Sequence, residues 1–114
     1  MKVLIADKFP EQFIQQLKDN GTEVIYNPKL GEKDLPEAAK DVDCIVVRST
    51  IVNAETIEKG EKLKLIVRAG AGVNNIDIQA ANKKGVAVSN CPGKNAIAVA
   101  ELTIGLMISL DRRI

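Results

Sequence analysis

Short runs rich in Val, Ile and Leu punctuate the chain, and between them apolar residues recur at helical spacing. Lys2–Ala6, Thr22–Tyr26, Asp43–Val47, Lys64–Val67 and Gly85–Val88 are nearly continuous in apolar residues rather than alternating apolar with polar. That pattern belongs to strands of a parallel sheet covered on both faces. Phe9, Phe13, Ile14 and Leu17 mark an amphipathic helix, with Pro10 near its start and Gly21 just after its end. Asp34–Lys40 predicts a second helix, with Pro36 tolerated in its first turn. Asn53–Lys59, opened by an Asn cap and closed by Gly60, predicts a third, and Asp77–Lys84, stopped by Gly85, a fourth.

The order β-α-β-α-β-α-β-α-β predicts an α/β fold: a doubly wound, flavodoxin-like, parallel five-stranded sheet with right-handed crossovers. Residues 95–114 then continue as a long C-terminal helix whose interior, AIAVAELTIGLMISL, is apolar nearly all round, with Glu101 its one acid. The predicted strands leave it no place on the sheet, so it is expected to bury itself against another domain or a second subunit. The reading therefore divides the chain into a ligand-binding unit at residues 1–94 and an interdomain or dimerisation helix at 95–114, with a homodimer expected through residues 95–112.

Composition narrows the function classes. Apolar residues make up 46% and charged residues 27% of the 114, with a net charge of +1, which points away from disorder, nucleic acid and anionic membrane. The apolar segments are short and soon interrupted, so a soluble, cytoplasmic protein is expected. Histidine is absent and the cysteines, Cys44 and Cys91, are isolated. No metal site is therefore expected, and Cys44, inside an apolar run, is expected to be buried and inert.

In open α/β sheets ligands bind beyond the carboxyl ends of strands. After the first strand, Asp7 reads as a helix-capping acid. After the third, Arg48, Ser49 and Thr50 place a planar donor fork beside hydroxyls, suited to a carboxylate or phosphate, or alternatively to an ion pair with a nearby acid. After the fourth, Arg68-Ala69-Gly70-Ala71-Gly72-Val73-Asn74-Asn75-Ile76-Asp77 is either an anion-cradling turn or a plain turn ahead of a helix capped by Asp77. It departs from G-x-G-x-x-G, since Asn75 stands at the third glycine position. After the fifth, Asn95 occupies an N-cap position, with Lys94 beside a helix end that favours anions.

Taken together, Val47-Arg48-Ser49-Thr50, the loop Arg68–Asp77, Asn90-Cys91-Pro92, Asn95 and Val99-Ala100-Glu101-Leu102-Thr103 resemble, in order and spacing, the N-terminal region of the D-2-hydroxyacid dehydrogenases. The pairing of Arg48 with an Arg-Ala-Gly-x-Gly loop is most similar to the phosphoglycerate dehydrogenase branch of that family. The resemblance implies that the Gly70, Ala71, Gly72 and Val73 segment holds the substrate carboxylate through backbone amides. It further implies that Arg48 and Ser49 hold a phosphate, Asn95 lines a domain cleft, and Arg68 reaches a neighbouring subunit's site. Asn74 replaces the Asp more usual before Asn-Ile-Asp.

By the same resemblance, NAD and the catalytic residues belong to a following domain. This chain is then a truncated substrate-binding fragment, expected to be inactive alone, to bind no cofactor and to contain no catalytic residue. The implied ligand is a small anionic carboxylate, with a phosphorylated acid first and glycerate, glyoxylate or hydroxypyruvate chemistry as alternatives. Two other readings compete: a non-enzymatic dimerisation module, and a signalling receiver domain. The latter would need an acid where the chain has Arg48.

Overall fold

In the computed structural model, which describes residues 1–92 and 95–112, each apolar run is divided between the two faces of one sheet. The strands are β1 (Lys2–Ile5), β2 (Glu23–Tyr26), β3 (Cys44–Val47), β4 (Leu65–Arg68) and β5 (Ala87–Asn90). They pair in parallel in the order β2-β1-β3-β4-β5. Successive side chains of a strand point to opposite faces. Leu4, Ala6, Ile45, Val47 and Ile66 accordingly enter one core, and Val3, Ile5, Cys44, Val46, Leu65 and Val67 the other. This two-sided burial is what required uninterrupted apolar runs in β1, β3 and β4, whereas β2, at the sheet edge, leaves Ile25 and Tyr26 exposed and so is not covered on both faces as expected.

The helices are α1 (Glu11–Asp19), α2 (Leu35–Ala38), α3 (Ala54–Lys59), α4 (Ile78–Lys84) and α5 (Ala96–Arg112). Leu35 and Ala39 at α2, Ile57 of α3 and Ala81 of α4 close the first core. Phe13 and Leu17 of α1, with Val99, Ala100 and Met107 of α5, close the second. The doubly wound, flavodoxin-like class holds.

One expectation is corrected: α5 does have a place on the sheet. It lies beside α1 and reaches β4, burying Val99, Ala100, Thr103 and Met107 within the chain's own core. The near-absence of polar residues along α5 hid a two-sided helix. Ile97 and Ile108 remain about half exposed on its far side, at 45% and 46%.

Boundaries moved where caps intervene. Gly85 takes φ 76° as the left-handed C-cap of α4, and the Val86 amide still donates to the Ala81 carbonyl at 2.9 Å. β5 therefore begins at Ala87, after the expected start at Gly85. Pro10, in extended conformation, is the N-cap of α1 and offers no side-chain cap. Asn53 and Asp77 cap α3 and α4 as expected, accepting from the Thr56 and Ala80 amides at 3.0 Å each. Cys44 is fully buried, and loss of solvent pushes its thiol pKa well above the ordinary range.

Candidate anion-binding cleft

The strand order decides which loops meet. Because β1 lies between β2 and β3, the carboxyl ends of β1, β3 and β4 adjoin at the point where the connections change direction. A cleft of about 500 Å³ opens there, lined by Asp7, Lys8, Pro28, Arg48, Ser49, Arg68 and Ala69. Arg48 and Ser49, both singled out from sequence, are exposed to it, and Arg68 flanks them. Lys8 adds a third cation that the sequence reading passed over.

Asp7 does not cap α1, as had been expected. Its Oδ2 accepts the amides of Arg48, Ser49 and Thr50 at 2.7, 3.2 and 3.1 Å, and its Oδ1 accepts the Thr50 hydroxyl at 2.8 Å. The β3 loop thus wraps a carboxylate from the neighbouring strand end. Among the described residues the Arg48 guanidinium makes one long contact, 3.4 Å from Nη1 to the Lys8 carbonyl, and Arg48 is exposed.

The β4 loop is tied from two sides. Arg68 Nε donates to the Arg48 carbonyl at 3.0 Å, and its Nη1 donates to the carbonyls of Ala71 and Gly72. Arg68 is thereby folded back onto its own loop. With the Ala71 and Gly72 carbonyls turned to the guanidinium, the amides of Ala71, Gly72 and Val73 donate to no acceptor among the described residues. Gly70 admits Arg68 Nη1 to 3.0 Å from where a Cβ would stand. Gly72 adopts φ 82° with Asn74 Oδ1 3.1 Å from that point, so both glycines are used by the geometry.

Asn75, which sequence reasoning treated only as a missing glycine, is the second tie. Its Nδ2 donates to the Thr50 carbonyl at 2.7 Å, and its own carbonyl accepts the Val52 amide at 2.8 Å. Val52 and Ile76 form a parallel bridge beside it. No local signal marks this role, because the partners lie on another loop.

Asn95 caps α5, its Oδ1 accepting the Ala98 amide at 2.8 Å. Lys94 lies outside the described residues, so the expectation of a cation at that helix end is not addressed. Among the described residues no His, Cys, Asp and Glu grouping suits a metal ion, and no helix is long and apolar enough to cross a membrane.

The sequence profile described as "D-isomer specific 2-hydroxyacid dehydrogenase, catalytic domain" matches residues 3–107. The chain belongs to that family. Among the family's curated members, D-3-phosphoglycerate dehydrogenase of Methanocaldococcus jannaschii is 48% identical over the whole chain, which spans 22% of that protein. Hydroxypyruvate reductase of Thermotoga maritima is 40% identical over 99% of the chain, which spans 37% of it. The crystal structure of NAD+-bound 3-phosphoglycerate dehydrogenase from Entamoeba histolytica superposes with a TM-score of 0.74 at 41% identity, covering 96% of this chain and 38% of that one.

The Gly70–Gly72 loop does not itself fit a dinucleotide. The N-terminus of α4, where a pyrophosphate would rest, is already occupied by the Asp77 carboxylate, and Asn75 puts an anchored side chain where the third glycine is needed. The donors left exposed are cationic side chains and backbone amides, a set suited chemically to a small anion.

Proposed function

We propose that this chain is the substrate-holding part of a cytoplasmic NAD-dependent D-2-hydroxyacid dehydrogenase, with 3-phosphoglycerate as the acid oxidised to 3-phosphohydroxypyruvate. One observation carries the reading. Two sets of donors face the same strand ends: the Arg48 guanidinium and Lys8 at the cleft, and the amides of Ala71, Gly72 and Val73, uncommitted among the described residues. A substrate with a carboxylate at one end and a phosphate at the other uses both, the amides taking the carboxylate and Arg48 with Ser49 the phosphate. The chain contains no histidine, the usual general base, and in this reading the nicotinamide cofactor is held by residues outside it. The role assigned to the chain is to bind and orient the acid, not to transfer hydride alone.

An amide NMR titration with 3-phosphoglycerate, with glycerate at equal ionic strength as control, tests the reading. Shifts at Arg48, Ser49 and Gly70–Val73 that are weaker with glycerate are expected. A second reading, an unphosphorylated acid, is favoured by the 40% identity to hydroxypyruvate reductase, and equal shifts with both ligands would select it. Absence of shifts with either would exclude a preformed half-site. The proposal extends to self-association through α5, whose Ile97, Ile108 and Leu110 stay exposed. A monomeric sedimentation mass at tens of micromolar would remove that part.

A further inference from the structure

Building on the reading of this cleft as a substrate site, we propose that Asp7 is a positioning residue: its carboxylate fills the amide nest of the β3 loop and so leaves the substrate's anionic group to the Arg48 side chain. Three consecutive amides and a hydroxyl converge on this one carboxylate at 2.7 to 3.2 Å. Convergent backbone amides of this kind form a receptor for a phosphate or carboxylate. In this chain the receptor already holds a resident anion. An incoming phosphate therefore meets like charge at the backbone and is directed outward, toward the cationic side chains that line the cleft with Asp7.

The same contact fixes where Arg48 starts. Its amide is held by Asp7 at 2.7 Å and its carbonyl by Arg68 Nε at 3.0 Å, so the peptide is gripped from both sides. The guanidinium, with its one 3.4 Å contact among the described residues made to the Lys8 carbonyl, is left to bind. Asp7 touches no substrate in this account. It acts through the loop.

The test uses Asp7→Asn, which keeps the shape and loses the charge, and Asp7→Ala, which vacates the nest. In Asp7→Asn the Arg48, Ser49 and Thr50 amide protons should move upfield, as charge-assisted hydrogen bonds give way to neutral ones. In Asp7→Ala, inorganic phosphate should shift those same amides, no such shift being expected in the wild-type chain, and acetate should partly restore thermal stability. Unchanged amide shifts in Asp7→Asn, or a phosphate response at residues 48–50 that is equal in wild-type and Asp7→Ala chains, would overturn the proposal.

Should neither variant fold, the wild-type chain decides. Scalar couplings across the hydrogen bonds, from the Arg48 and Thr50 amide nitrogens to the Asp7 carboxyl carbon, are expected, and their absence refutes the contact. A wild-type chain that binds neither acid sinks the substrate reading alone, because the amide shifts and the phosphate response report on Asp7 without it.

Discussion

Asn75→Asp exchanges an NH2 for an oxygen and alters nothing else in shape, which makes it a sharp probe of the tie between the two site loops. In the native chain Nδ2 lies 2.7 Å from the Thr50 carbonyl, while Oδ1 is buried with no partner among the described residues. An ionised aspartate turns the first contact into oxygen against oxygen. One hydrogen bond is lost, the Thr50 carbonyl loses its donor, and a partly buried charge gains none. These effects sum to about 3 kcal/mol on the usual scale for unpaired polar groups.

Asn75→Ala loses the same bond but also removes the unpartnered Oδ1, so its cost is smaller, about 1 kcal/mol. The order, aspartate worse than alanine, is the diagnostic. A protonated aspartate can donate to Thr50, so its folded-state pKa must lie above the value of about 3.9 in the unfolded chain. With the acid's folded pKa raised, the native state binds the extra proton. The penalty is absent below the unfolded pKa and grows to full size as pH rises through the folded pKa. Urea unfolding followed by far-UV circular dichroism at neutral and acid pH measures both effects. A neutral-pH penalty for aspartate no larger than that for alanine, or one that persists unchanged in acid, refutes the assigned hydrogen bond.

Gly72→Ala should destabilise the chain by about 1 to 2 kcal/mol, because φ 82° is unfavourable to an L side chain and Asn74 Oδ1 stands 3.1 Å from the new Cβ. Adding Asn74→Gly should recover only the steric part, as thermal melts of the two variants will show. The Asp41 carboxyl is held below its usual range by Lys62, at 3.4 Å, and by Lys2, at 3.5 Å. Its folded pKa being depressed, its contribution is present above the unfolded pKa and vanishes as pH falls through the folded one; Asp41→Asn should therefore match wild type in strong acid and differ at neutral pH, less so in high salt. Cys44 should react with a disulfide reagent no faster than the chain unfolds, and rapid labelling under native conditions would contradict its burial.

The strands, their parallel pairing and the capped helices were legible because each depends on residues close in sequence. Asn53 and Asp77 announce their helices, and unbroken runs such as Cys44–Val47 announce burial on both sides. Arg48, Ser49 and Arg68 were legible as cleft residues for a related reason: a strand's end places them. Asp7 was misread because its partners lie more than forty positions away, and local sequence offers only the commoner role of a helix cap. Asn75 was missed on the same ground. The place of α5 was misjudged because its hydropathy is so even that a buried stripe of Val99, Thr103 and Met107 does not stand out from its neighbours.

That stripe ties the order of synthesis to the order of folding. Phe13 and Leu17 are made early, yet the apolar surface they pack against includes Val99, Ala100 and Met107, which a ribosome delivers about eighty residues later. Until then one side of the sheet stays uncovered, and the loop to be closed is about eighty residues long, a contact of high sequence separation and slow formation. The opposite side, closed by residues between Leu4 and Val86, can consolidate first. A nascent chain stalled before residue 99 should therefore be half-finished in a definite sense: one wall dry, the other open to chaperones and to neighbouring chains.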